Sequence, residues 1–323
     1  MEHHLITNSS LEQEVGFEQD NVFISANTIS SSIDEIRDSH IIPVHIKDNE
    51  PVISQTEFIE AGLYVANEVF NGEQILAPVV RLSHPIKGRV PGAKNKPAKE
   101  LLAHEKTLYY ERLAFIIEIP SIHDTISGNR LNLVIGGVKA YNLDNLYSSK
   151  GIEEHFKVFI GFQNKVCLNL CVWTDGLKLD IKASSLYSLI DQIHNLVTAF
   201  KVQESLSELT HLPAQRVSEE QFAQLIGRIK MYQHLSVEQK RGLPPMPITD
   251  SQLGAVVNAY YKDENFRRDN DGSIDLWRLY NLFTGANKSS YIDTFLDRGA
   301  SSSEFIRSLG NAIASDEELW FIN

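Results

Sequence analysis

The chain has 323 residues, of which 42% are hydrophobic and 9% aromatic, and a net charge of −12 at pH 7. That length suits two ordinary domains, and that composition fills a core without disulfide staples. The acidic balance excludes a surface that binds nucleic acid over its whole extent, and no run of about 18 apolar residues is present to span a bilayer. Cys167 and Cys171 are the only cysteines, and no basic segment leads into an apolar run near the start. These features predict a cytoplasmic protein without a disulfide framework.

In chain order, residues 1–50 form an acidic arm, with ten acids against Arg37 and Lys47. Residues 1–38 are rich in Ser, Asn and Glu and read as flexible or late to order. "IIPVHI", the turn-like "KDNE" and "PVIS" predict two short strands. Ser54 or Thr56 then caps a helix to about Phe70, which gathers Phe58, Ile59, Ala66, Val69 and Phe70 on one side. The segment 81–99, "RLSHPIKGRVPGAKNKPAK", holds Arg81, Lys87, Arg89, Lys94, Lys96 and Lys99 and no acid. Its prolines and glycines interrupt any helix and predict an exposed loop. Pro97 suits the first position of a following helix through Leu101, Leu108 and Arg112.

The hydrophobic period then changes from 3.6 to 2. "RLAFIIEIP" sets Phe115, Ile117 and Ile119 on one face, and "GNRLNLVIGGVKAYN" returns, with Gly136 and Gly137 predicted to mark a bulge. "HFKVFIGFQN", "NKVCLNLCVWTDG" and "LKLDIKAS" continue the alternation, giving an antiparallel sheet of four or five strands. From Ser185 the pattern is helical, with a stripe from Leu186 to Phe200. Capping boxes at Ser218–Gln221 and Thr249–Gln252 announce two further helices, and shorter ones are expected at about 274–283, 290–298 and 302–314. The predicted fold is α+β: an arm 1–50, an α+β core 51–205 bearing the basic loop, and a helical region 206–323.

Most chemical motifs fail on inspection. "NLFTGANKSSYID" resembles a phosphate loop, but Leu282 and Asn287 stand where its glycines belong and a helix precedes it. What it offers is a candidate anion contact by Asn287, Lys288 and Ser289 at an exposed helix start, set against an ordinary capping role. "RRDNDGSID" resembles a calcium loop with Arg267 and Arg278 where carboxylates are needed. His104-Glu105 lacks the second histidine of HExxH, and His123-Asp124 lacks a nucleophile and reads as part of a turn. Cys167 and Cys171, on one face of a predicted strand, have no partners for a metal site. No metal or cofactor is expected.

Several stretches, among them "RLSHPIKGRVPGAKNKPA", "TLYYERLAF", "VCLNLCVWTDG", "QFAQLIGRIKMYQHL" and "LWRLYNLFTGANKSSYID", resemble the bacterial domain of unknown function 3871 family over nearly the whole chain. More distantly, "VCLNLCVWTDG" and "LYNLFTGANKSSYID" are similar to segments of the phage- and plasmid-encoded domain of unknown function 932 family. The resemblance implies carriage on a mobile genetic element and carries over no catalytic residue.

The charge contrast leads the functional expectation. Six bases on an angular backbone repel one another unless an anion is near, so Arg81, Lys87, Arg89, Lys94, Lys96 and Lys99 are expected to contact phosphates, with Tyr109 and Tyr110 as stacking faces. The partner expected is single-stranded nucleic acid, with the acidic arm as an internal competitor. The alternatives are a host or element-encoded protein bound through the arm, and an enzyme whose site is assembled from scattered residues.

Overall fold

The computed structural model describes residues 22–39, 53–89, 91–93, 95–141, 153–315 and 317–322. The strand pair expected in 41–54 lies outside these residues, except Ile53 and Ser54, which lead into a helix. The described strands are β1 (Thr28–Ser31), β2 (Val79–Ser83), β3 (Ile86–Arg89), β4 (Lys106–Tyr109), β5 (Arg112–Ile126), β6 (Asn129–Ala140), β7 (Glu154–Asn164), β8 (Leu170–Cys171), β9 (Leu177–Ala183), β10 (Arg216–Val217) and β11 (Ile274–Asp275). Seven of them form one antiparallel sheet in the order β1-β2-β5-β6-β7, with β8 and β9 both pairing with the far side of β7. The fold is α+β as expected. The sheet is wider than the predicted four or five strands because β1 and β2, too short to show a period, join it from the arm and the basic segment, while the strand expected in 164–176 is only Leu170–Cys171.

The described α-helices are α1 (Ile33–Ser39), α2 (Gln55–Val69), α3 (Leu186–Ala199), α4 (Val202–His211), α5 (Glu219–Tyr232), α6 (Val237–Lys240), α7 (Asp250–Lys262), α8 (Leu276–Asn287) and α9 (Ile292–Ser315). Full capping boxes close α2 at Ser54–Glu57, α5 at Ser218–Gln221 and α7 at Thr249–Gln252. Each satisfies two otherwise orphaned backbone donors, which is why these starts were legible.

The sheet is covered on both faces. Leu113, Phe115, Ile117 and Ile119 of β5 join Phe156, Val158, Ile160 and Phe162 of β7 in the main core, beneath α2 and α3. Phe58 of α2 meets Phe115 and Phe156 with ring centroids 5.1 and 4.9 Å apart. The alternate residues Ala114, Ile116, Val134 and Phe159 form a second core with Phe23, Ile24, Ile292, Phe295 and Leu296. Each of the larger side chains, Val, Leu, Ile or Phe, contributes about 1.5–3 kcal/mol by leaving water. The main core runs on into the helical half, where Trp277, Leu279, Tyr280, Leu282 and Phe283 of α8 are all buried.

Gly136 and Gly137 mark no bulge: both stay in register, opposite Ile116 and Phe115. They make room for rings on opposite faces, since a Cβ would lie 2.7 Å from the Phe159 ring at Gly136 and 2.4 Å from the Phe58 ring at Gly137. The register shift falls between Ile119 and His123, where Pro120 has no N–H for the ladder. His123 is paired with Asn132 inside the hairpin, whose turn is Ser127-Gly128, both at positive φ.

Three further expectations are corrected. Residues 22–39 of the arm belong to the folded body, with Phe23, Ile24 and Ile36 buried and β1 paired with β2. The helix expected from Pro97 is two short 3-10 turns followed by β4. The helices expected at 290–298 and 302–314 are one, and Ser301, Ser302 and Ser303 are accommodated inside it by donating to the carbonyls four residues back, at Asp297, Arg298 and Gly299.

Candidate nucleic-acid interface

The basic segment is divided by the fold into two environments. Arg81 lies in β2 and is 8% exposed. Its Nε and Nη2 donate to Thr28 Oγ1 at 3.0 and 2.8 Å, Nη2 also reaches Thr28 O, and Nη1 reaches Ser30 Oγ. Burial pulls its pKa down. Arg81 therefore stitches β1 to β2, so the arm meets the basic segment here through hydroxyls rather than carboxylates.

Lys87 and Arg89 lie on the first strand of a separate two-stranded ribbon, β3 with β4, and Lys96 and Lys99 in the segment joining its strands. Its register sets Lys87 opposite Leu108 and Arg89 opposite Lys106. The side chains of 86–89 and 107–109 lie outside the described residues, as does the whole of Lys94, so the stacking role expected of Tyr109 falls there too. Lys99 and Lys106 are exposed. Lys96 contacts Glu105 at 2.5 Å, and Glu105 also accepts from the Leu102 N–H. Lys96 first and that backbone bond second hold the Glu105 carboxyl below its usual range. Tyr110 is 6% exposed and its carbonyl accepts from the Gln55 side chain at 2.7 Å, so it belongs to the core.

Sequence reasoning missed Lys106. The acid-free window ends at Lys99, and only the strand pairing brings Lys106 back beside Arg89. Residues 84–110 contain two acids, Glu100 and Glu105, against Lys87, Arg89, Lys94, Lys96, Lys99 and Lys106. Like charges directly opposed across a ribbon are destabilising, and an isolated two-stranded ribbon is marginal in water. An anion bound along such a ribbon relieves the first effect.

The second predicted contact is turned inward. Asn287 donates to Phe295 O at 2.9 Å and Ser289 to Ala286 O at 2.7 Å. Lys288 Nζ donates to Cys167 O, and burial lowers its pKa. The Lys288 carbonyl in turn accepts from the Ser25 N–H at 2.9 Å, tying the arm to the end of α8.

Cys167 sits in the turn between β7 and β8, while Cys171 is buried in β8, so they do not share a strand face. Burial raises both thiols, Cys167 to about 11. Neither is a thiolate at neutral pH. Among the described residues no group of three or more His, Cys, Asp or Glu is arranged to hold a metal ion. No helix among them is long and apolar enough to cross a membrane.

An antiparallel sheet covered on both faces, continued by a helical half and carrying a basic ribbon, defines the class of architecture. A family model described as "Domain of unknown function, B. Theta Gene description (DUF3871)" matches residues 5–322, and the chain belongs to that family. No match was found among curated proteins or among solved structures.

Proposed function

We propose that this is a non-enzymatic, nucleic-acid-associated protein of a mobile genetic element, working in the cytoplasm and holding phosphates along the β3–β4 ribbon. The observation that carries the reading is the opposition of Arg89 and Lys106 in the ribbon register, within a segment where bases outnumber acids. Lys87, Arg89, Lys94 and Lys99 join Lys106 as the contacts, while Arg81 acts as a structural residue. Lys96, held by Glu105, sets the path of the chain between the two strands.

The test is binding of a fluorescent single-stranded oligonucleotide across a salt series. Affinity falls linearly with log salt concentration, and Lys87→Ala, Arg89→Ala and Lys106→Ala each lower the magnitude of the slope by about 0.7 to 1. Deleting residues 1–21, which carry Glu2, Glu12, Glu14, Glu18 and Asp20, strengthens binding if they compete for the ribbon. Failure of both the full chain and this truncation to bind at low salt removes the reading.

A further inference from the structure

Asn71-Gly72 is the one Asn-Gly pair in the sequence. It falls in the turn that leaves α2 after Val69, and both residues are exposed. Gly72 has a φ of +93°, and a Cβ built there would meet nothing within 4 Å. Among the described residues no hydrogen bond holds the Asn71 carboxamide or the Gly72 N–H. The chain is fixed on either side of the pair. The Phe70 N–H donates to Ala66 O at 3.0 Å, the Glu73 N–H to Phe70 O at 3.0 Å, and the Gln74 N–H to Ser121 Oγ at 3.1 Å.

A side-chain carbonyl carbon and the next backbone nitrogen close a five-membered ring when that nitrogen is free and no Cβ crowds it, conditions that glycine meets best. The two Asp-Gly pairs of the chain have the same spacing, but the fold closes them to this chemistry. Gly176 is buried, its N–H donates to Trp173 O at 3.1 Å, and Ile160 O leaves no room beside its Cα. Gly272 is also buried, its N–H donates to Asp269 O at 3.0 Å, and its carbonyl accepts from the Tyr260 hydroxyl. The Asp271 carboxyl accepts from the Ser273 N–H and hydroxyl at 2.9 and 2.8 Å, which hold it below its usual range and so ionised, a poor target for a nucleophile. Asn71-Gly72 has none of these guards.

We propose that Asn71 is a site of spontaneous deamidation through a succinimide. The Gly72 nitrogen gives its proton to solvent and attacks Asn71 Cγ. The N–Cγ bond forms, the Cγ–Nδ2 bond breaks, and Nδ2 leaves as ammonia. Water then opens the ring, at Cγ to give aspartate or at the Asn71 backbone carbonyl to give isoaspartate, whose main chain runs on through the side chain. Water is the only co-reactant. Either product adds a negative charge just past the last turn of α2, which contains no base and lies between Glu68 and Glu73 in sequence. The helix dipole opposes a negative charge at that end. Isoaspartate also lengthens the main chain between Phe70 and Gln74, and its exposed carboxylate suits an enzyme that methylates isoaspartyl groups. The inference does not depend on the ribbon reading.

The experiment holds the full chain, folded by circular dichroism, at mildly alkaline pH and releases the peptide Val69–Glu73 at intervals with a glutamate-specific protease. Mass spectrometry follows the exchange of NH for oxygen in that peptide, and an isoaspartyl methyltransferase with a labelled methyl donor counts isoaspartate. The unmodified peptide is lost progressively, while Asn67 and Asn195, exposed but followed by Glu68 and Leu196, stay intact. Asn71→Gln, whose ring would have six members, abolishes the loss and most of the methyl label. In urea the label also appears at Asp175 and Asp271, because unfolding frees the N–H groups of Gly176 and Gly272. An Asn71 that stays intact in the folded chain, whether or not it converts in urea, overturns the proposal. So does a folded chain in which Asn67 or Asn195 converts first, or in which Asn71→Gln leaves the label unchanged.

Discussion

Lys139 and the lysines of the ribbon represent opposite treatments of the same charge. Lys139 is 0% exposed at the end of β6, with Nζ 2.5 Å from Glu154 and 4.0 Å from the centroid of the Phe156 ring. The other Glu154 oxygen accepts from the Ile53 N–H at 2.8 Å, so the pair also holds the chain entering α2. In the ribbon, Arg89 stands opposite Lys106, a base against a base. The difference teaches which charges serve the fold. A buried charge must be paired, because a lone one costs several kcal/mol, whereas the exposed Lys106 keeps its hydration and needs no carboxylate.

The comparison is sharpest where one member of the buried pair is removed. Glu154→Gln leaves the Lys139 ammonium in the core without its carboxylate and is expected to cost about 3–5 kcal/mol, measured by urea denaturation. The double replacement Lys139→Met with Glu154→Leu recovers most of that loss; if it does not, the pair is holding more than its own charge.

A smaller effect is expected beside that pair, where no charge is involved. Gly137→Ala drives a methyl group against the Phe58 ring and should cost about 1–3 kcal/mol, with the same denaturation as the measure.

An exposed but well-paired carboxylate lies between the extremes. Asp269 accepts from Arg278 Nη1 and Nη2 at 2.8 and 2.7 Å and from Arg216, which together hold its carboxyl well below the usual range. Because the folded pKa is the lower one, the stabilisation is present above the ordinary carboxylate pKa and is lost as pH falls from about 4 toward the folded value. Asp269→Asn should cost about 1 kcal/mol at pH 7 and flatten the fall of Tm between about pH 4 and 2 relative to wild type. Parallel pH profiles for the two proteins count against this assignment.

The smallest effect belongs to the ribbon. Lys87→Ala with Arg89→Ala should change stability by less than about 0.5 kcal/mol while weakening oligonucleotide binding. A large loss of stability assigns these residues to the fold, as Arg81 already is.

Local chemistry made much of this architecture legible. Ser218 with Gln221 and Thr249 with Gln252 predict helix starts because a capping box closes within four residues. Leu113 to Ile119 and Phe156 to Phe162 predict strands because their alternation is long. The site was harder to read. Arg81 and Lys87 look alike in sequence, yet one is sealed by Thr28 and Ser30 from a strand some fifty residues earlier. Lys106 gained its place opposite Arg89 only through strand pairing.

Alternation, caps and charge blocks act over a few residues, so the order of amino acids sufficed to establish an α+β chain with a helical second half and one markedly basic stretch. Long-range contact decided the rest. It showed that Gly136 and Gly137 yield to rings from β7 and α2, that residues 28–31 of the arm form an edge strand, and that Ser301–Ser303 lie inside a continuous helix. It also separated Arg81, sealed by Thr28 and Ser30, from the exposed Lys99 and Lys106, because burial and pairing depend on residues far apart in the chain.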